Sequence, residues 1–270
     1  AFIQAKQPNL KPLNCAELLN YRLCLDETDQ ANLRQANTIT ATIFKDCCSK
    51  LNQFSNETDV AGFLKGAIVQ HSWIGQSFPA IVANGKNAAI LHYRQHNSPL
   101  ESGQLLLLDF GCRLHTMPAD ISRTVPINGT FNPLQGLLYS IVLQAQETVE
   151  AMVKPGITIN DLNARCWEII ETALEEKFFS QGGKAVRPYD HQPHNVSHLI
   201  GHMVHDGDAF RRYRNMPLQP GMVISNEPGL YGQFSLTIDG TSYNEHLGIR
   251  IEDNLCVTPT GCTNLSASCP

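Results

Sequence analysis

The sequence lacks a long hydrophobic run, a block of basic residues and a Cys-x-x-Cys pair. The apolar run Leu105–Leu108 is far too short to cross a bilayer, and no signal-peptide pattern is present. A net charge of −5, with 20 basic against 25 acidic residues, argues against nucleic acid as the main partner. The odd count of nine cysteines without metal-ligand spacing favours free thiols in a reducing compartment, so we expect a cytoplasmic protein. A hydrophobic content of 42% excludes a disordered chain.

One order of predicted elements, two helices followed by strands, occurs twice. Apolar spacing and turn residues predict the following segments: helices over about 29–54 and after Asn56, strands at 80–83, 88–93 and 105–110, helices over about 132–153 and 158–178, and strands at 221–225 and 247–258. No linker separates the halves. We therefore predict one domain over residues 26–270 with internal pseudo-symmetry and a site where the halves meet, preceded by a lead-in over residues 1–25.

Two aspartates mark the first candidate site. Asp109 follows Leu105–Leu108, and its side chain should leave the strand on the face opposite Leu108. A hairpin would bring it beside Asp120, and two adjacent carboxylates either share a proton or hold a cation. The alternative is a strand-end cap together with a surface pair between Asp120 and Arg123.

Four histidines lie within twelve residues, at positions 194, 198, 202 and 205. Such a cluster favours metal binding or acid–base chemistry over the more common isolated structural histidine. Extended backbone would place His194 and His198 on one face and His205 on the other. On that geometry, not all of them could be ligands of one site.

Two glutamates complete the set. Glu227 ends an apolar segment before Pro-Gly, and alternation places Arg250 and Glu252 opposite Ile249 and Ile251. A purely structural Arg–Glu pair is the alternative. Four carboxylates and one imidazole suit two divalent ions such as Mn²⁺, Co²⁺ or Zn²⁺. Two such ions can share a water and lower its pKa towards neutrality, which supplies a hydroxide nucleophile for hydrolysis.

These motifs resemble, in order, spacing and local sequence, the pita-bread metallopeptidase family. The resemblance covers about residues 28–262 and is carried by Asp109, Asp120-Ile-Ser-Arg-Thr124, His198-Leu-Ile-Gly, Val-His205-Asp, Asn-Glu227-Pro-Gly and Gly-Ile-Arg250-Ile-Glu252-Asp. The family includes methionine aminopeptidases, Xaa-Pro aminopeptidases and Xaa-Pro dipeptidases. It implies an α+β fold with pseudo-twofold symmetry, in which helices cover a curved, mostly antiparallel sheet.

The resemblance also implies roles for individual residues. Asp109 would bind one metal ion, His198 and Glu227 the other, and Asp120 and Glu252 would bridge both. Glu227 would also move a proton. His205 would hydrogen-bond the substrate carbonyl or oxyanion, and His92 and His194 would line the substrate cleft. Thr124 and Arg250 would orient the carboxylates.

His194 and the segment Ile81–Tyr93 resemble the prolyl branch of the family. We therefore predict removal of an N-terminal residue before proline, with a peptide as substrate and two divalent ions, Mn²⁺ first, as cofactors. The alternatives are a methionine aminopeptidase and a non-catalytic pita-bread binding module. Arg211, Arg212 and Arg214 would favour dipeptides if they bind a carboxylate, although a solvated basic loop is the preferred interpretation. Prolyl members usually carry a further N-terminal domain, so we expect this chain to be the catalytic part of a longer protein, for which a homodimer is one expected assembly.

Overall fold

The computed structural model describes residues 22–72, 74–189, 192–207 and 211–270. In this part of the chain four long helices form: α1 (Glu27–Ser49), α2 (Glu57–His71), α3 (Pro133–Met152) and α4 (Ile159–Lys177). Each begins at a side chain that caps the free amides of its first turn, and Thr158 and Asp161 form a capping box at the start of α4. Most of the predicted lead-in, residues 1–21, lies outside the described residues.

The strands pair only in antiparallel fashion within the described ranges. They are β1 (Ile81–Asn84), β2 (Leu105–Phe110), β3 (Arg113–Leu114), β4 (Met117–Pro118), β5 (Ile121–Pro126), β6 (Lys184–Val186), β7 (Leu199–Ile200), β8 (Val223–Asn226), β9 (Gly229–Ile238), β10 (Thr241–Arg250), β11 (Asp253–Val257) and β12 (Cys262–Asn264). The sheet orders are β1-β2-β5, β10-β9-β6 and β12-β11-β8-β7, with β3-β4 as a small hairpin. The predicted repetition of two helices followed by strands is therefore confirmed.

Two predicted strands are wrong. Residues 88–93 do not form a strand, because Gly85–Ala89 is a 3-10 turn in which Gly85 adopts a φ of +53°. The predicted strand 247–258 is divided between β10 and β11. The chain leaves the ladder at Ile251 and Glu252, where the Glu252 amide donates 2.9 Å to the Ser122 carbonyl of the other half.

Strand β2 shows why a carboxylate can follow four leucines. Leu106, Leu108 and Phe110 are fully buried in a core shared with α1 and α2. Asp109 points to the opposite face, as its place in the alternation predicts. The second half has its own core, formed mainly by α3, α4 and β8–β11. The site-bearing face of β2 therefore lies towards the second half.

The two halves are joined beside that face. The side chain of Asn254 accepts from the Asp120 amide at 3.1 Å and donates to the Asp120 carbonyl. Arg123 forms a buried ion pair with Asp253 at 2.7 Å, so the alternative of a surface pair between Arg123 and Asp120 is wrong. None of the helices formed by the described residues has the length and apolar character needed to cross a membrane.

Candidate metal centre

A cleft of about 620 Å³ opens where the two halves meet. Its lining includes all five residues expected to be metal ligands: Asp109, Asp120, His198, Glu227 and Glu252. Asp109 lies near the end of β2 and Asp120 immediately before β5, whereas Glu227 immediately follows β8 and Glu252 lies between β10 and β11. The antiparallel registers bring these strand ends to one place, although the residues span 144 positions of sequence (109 to 252).

The five side chains form two overlapping sets of potential ligands. Oxygen atoms of Asp109, Asp120 and Glu252 lie within 4.8 Å of one another, and so do ligand atoms of His198, Glu227 and Glu252. Glu252 belongs to both sets, and Asp120 joins a third with His198 and His205. Shared carboxylates at the centre are the arrangement expected for a pair of adjacent cations.

His198 presents one defined nitrogen to this centre. Its Nδ1 lies 3.2 Å from the Leu199 carbonyl oxygen, which assigns the ring proton to Nδ1. Nε2 then faces Glu227 at 3.3 Å and Asp120 at 3.5 Å, in the position from which it would bind a metal ion after losing its proton. A carbonyl that fixes the tautomer of a histidine is a common support for a metal ligand.

The carboxylates repel one another in the absence of a cation. Burial raises the pKa of Asp109 to about 6 and that of Glu227 to about 7. Burial and the charge of Asp120 raise the pKa of Glu252 well above its usual value. One oxygen of Asp109 is buried without a hydrogen-bond partner. A buried oxygen with no donor and a crowd of carboxylates fit divalent cations, whose charge would compensate both.

Arg250 connects the ligands to their surroundings. Its guanidinium donates to Asp109 at 2.7 Å, to the Ser122 hydroxyl at 2.8 Å and to the Tyr231 hydroxyl at 3.1 Å. Ser122 in turn donates to Glu252 at 2.8 Å. Two ligands from different halves are thus held by one hydrogen-bonded chain. Thr124 contacts the backbone of Arg250 rather than any carboxylate.

Among the described residues, three further histidines line the cleft: His92, His194 and His205. The expectation that His205 would face away from His194 and His198 is wrong. The chain turns back after Ile200 through an isolated bridge between Leu199 and Asp206, and this turn places the rings of His198 and His205 4.2 Å apart.

The electrostatic surroundings keep two of these rings neutral. Burial and then the charge of His198 lower the pKa of His205 to about 4. Burial and then Arg250 lower the pKa of His194 to about 4. A neutral imidazole can donate one hydrogen bond to a carbonyl oxygen without adding charge to the cleft.

Some supporting residues were absent from the sequence prediction. Ser122 is two positions after Asp120 on the same strand face, so alternation could have indicated it. Tyr231 had no such signal, and Asp206 belonged to the Val-His205-Asp motif without a predicted role. Asp206 is buried, accepts from Arg22 at 2.9 Å and from the Gly207 amide at 2.8 Å, and so fixes the turn that carries His205.

Comparison with known proteins places this fold and donor set in a family. A sequence model of metallopeptidase family M24 matches residues 31–259, and the chain belongs to this family. The predicted resemblance to pita-bread metallopeptidases is therefore confirmed, and divalent metal ions are the cofactors that the family implies.

The named relatives belong to the prolyl branch. The chain is 32% identical to an Xaa-Pro aminopeptidase of Escherichia coli over 92% of its length, covering 57% of that protein. It is 36% identical to Xaa-Pro aminopeptidase 1 of Streptomyces coelicolor over 92% of its length, covering 52% of that protein. The solved structure of Escherichia coli aminopeptidase P with the inhibitor Pro-Leu superposes with a TM-score of 0.83 at 29% identity, covering 99% of this chain and 63% of that one. The pita-bread fold is confirmed, and the chain spans little more than half the length of these curated relatives.

Proposed function

We propose that this chain carries the catalytic centre of an Xaa-Pro aminopeptidase, a hydrolase that removes the N-terminal residue from peptides with proline in second position. The observation that carries the proposal is the pair of overlapping ligand sets that share Glu252 at the floor of a cleft bordered by histidines. The similarity to proteins named Xaa-Pro aminopeptidase supports the choice of substrate.

The ligand roles follow from these sets. Asp109 would hold one ion, His198 and Glu227 the other, and Asp120 and Glu252 both. Bound divalent ions would supply an activated water and polarise the scissile carbonyl. A carboxylate-rich set with one imidazole suits Mn²⁺, with Co²⁺ and Zn²⁺ as the next choices.

The protein's own groups then handle the protons. Glu227 is placed to take a proton from the attacking water, because its carboxylate lies among the ligands and its pKa is raised towards neutrality by burial. The bond to proline is a tertiary amide, so its nitrogen must gain a proton to leave as a secondary amine. Glu227 can return that proton. His205, neutral and exposed in the cleft, donates to the oxygen that becomes negative.

The substrate assay that tests this proposal compares matched peptides that differ only in the second residue. After reconstitution with Mn²⁺, we expect kcat/KM for Ala-Pro-Ala to exceed that for Ala-Ala-Ala by at least about 10²-fold, since recognition of the second residue contributes a few kcal/mol of discrimination between substrates. Met-Ala-Ser serves as the third substrate. Cleavage of the methionine peptide alone would contradict the proposal and favour a methionine aminopeptidase. No cleavage together with no bound metal would favour the non-catalytic binding module.

Substrate length is a separate question that the same assay answers. Arg211 and Arg214 line the cleft, and with the Asn195 amide assigned so that its oxygen faces the guanidinium, Arg214 donates to that oxygen at 2.8 Å. A preference for the dipeptide Ala-Pro over Ala-Pro-Ala that disappears in Arg211→Ala would assign carboxylate binding to this loop.

A further inference from the structure

Glu57, the first residue of α2, is a fully buried carboxylate outside the metal centre. Its Oε1 accepts from the Asn84 amide at 2.7 Å and from the Asn87 side chain at 2.9 Å. Its Oε2 accepts from the Tyr93 hydroxyl at 2.8 Å and from the Ser98 amide at 3.0 Å. All four donors are neutral, and all belong to the segment 84–98.

This arrangement compensates the cost of burying a carboxylate. The position at the start of α2 places it at the positive end of the helix dipole, and four donors occupy its two oxygens. Removal of the carboxylate would take an acceptor from each of these donors and would leave Asn87 and Tyr93 with their contacts to each other, to Ser98 and to Asn97. Glu57 therefore determines the path of the whole segment rather than one contact.

The segment fixed by Glu57 is a wall of the cleft. Leu91, His92 and Arg94 line the cleft, whereas Tyr93 between them is buried against Glu57. Its 3-10 turn also lies directly on β10, since a side-chain carbon at Gly248 would fall 2.0 Å from the Ala88 carbonyl oxygen. His92 is thus presented to the cleft by a backbone held at Asn87 on one side and at Tyr93 on the other.

We propose that Glu57 is a positioning residue, which holds His92 in its substrate-facing orientation through Asn87 and Tyr93. The inference rests on the proposed function only in assigning a substrate to the cleft. Glu57 does not contact His92 itself. It acts on His92 through the segment 84–98, which it anchors.

The kinetic test is Glu57→Gln. The glutamine side chain has nearly the same shape as glutamate, but its N–H₂ group replaces one acceptor oxygen and faces hydrogen-bond donors of the segment 84–98. Because a misplacement of about 1 Å can cost up to about 10²-fold, we expect kcat/KM on Ala-Pro-Ala to fall by about 10- to 100-fold with metal content unchanged. In a His92→Ala background the same change should lower kcat/KM by less than about twofold, since the effects of coupled residues are not additive.

Asp59→Asn is the matched control. It removes the same charge from the same helix turn, but Asp59 is exposed and accepts from the Ser55 amide, so the activity should stay within about twofold.

A spectroscopic test separates this inference from the proposed function. In protein with nitrogen-15-labelled histidine, the His92 ring signal is assigned by its loss in His92→Ala. We expect that signal to shift or broaden in Glu57→Gln and to stay in place in Asp59→Asn, whether or not the protein cleaves peptides. If Glu57→Gln does not fold, Tyr93→Phe removes one of the four hydrogen bonds and should still move the His92 signal. An unmoved His92 signal in the folded variant, or additive losses in the double variant, would overturn the proposal.

Discussion

Replacing Glu252 by alanine is expected to lower kcat on Xaa-Pro peptides by about 10³-fold or more and to abolish tight binding of divalent metal. Glu252 is the side chain common to the two principal ligand sets, so its loss removes a ligand from each of them. Metal content after dialysis and kcat at saturating substrate measure the two effects. Asp120→Ala should behave in the same way.

The control for Glu252→Ala removes a carboxylate from the surface. Glu171 lies on α4 and pairs with Arg187, away from the cleft lining, and Glu171→Ala should keep both metal and activity. Retention of two bound ions, or of more than a tenth of kcat, in Glu252→Ala would contradict a bridging role.

The stability of the Glu252→Gln variant is an independent check, because this substitution should stabilise the metal-free protein although it lowers activity. Burial raises the pKa of Glu252 above its unfolded value, so the metal-free folded protein keeps a proton there that the unfolded chain loses above pH 4.5. At pH 7.5 this proton uptake lowers the free energy of unfolding, and a neutral glutamine avoids that loss. After chelation, Glu252→Gln should unfold at a higher denaturant concentration than the parent protein, and the difference should grow from pH 5 to pH 7.5.

Replacing Glu227 by glutamine is expected to lower kcat by about 10²- to 10⁴-fold, the usual contribution of a positioned general base. An amide oxygen can still bind a metal ion, but it cannot take the proton of the attacking water. We expect bound metal to fall less than activity. The measurement is kcat under saturating Mn²⁺, with metal content determined on the same samples.

Two comparisons make this result specific to proton transfer. Glu171→Gln makes the same chemical change at the surface and should leave kcat unchanged. A parallel loss of metal and activity in Glu227→Gln would show that Glu227 serves only as a ligand. A loss of less than tenfold would exclude it as the base.

The sequence predicted the residues of the site more fully than the backbone conformation around them. Asp109 could be placed because alternation along Leu105–Phe110 depends only on the strand period. Arg250 and Glu252 followed in the same way from Ile249 and Ile251, both of which are buried in the second core. Local periodicity is visible in a sequence, so residues that obey it can be assigned to a face.

Positions that depend on irregular backbone could not be predicted. The segment with His92 reads as a strand, because its apolar residues are consecutive, yet the distant carboxylate of Glu57 and the φ of Gly85 form a turn there. The turn between His198 and His205 likewise depends on Asp206 and on Arg22, which is 184 positions away. Contacts between residues so distant in sequence have no local pattern that could indicate them.

X-ray diffraction at the manganese absorption edge, from crystals of the reconstituted protein, tests the proposed dinuclear centre most directly. We predict two anomalous peaks in the cleft, one contacting Asp109, Asp120 and Glu252, and the other contacting His198, Glu227, Asp120 and Glu252. A single peak held by Asp120, His198 and His205, with none beside Asp109, would contradict the proposed centre.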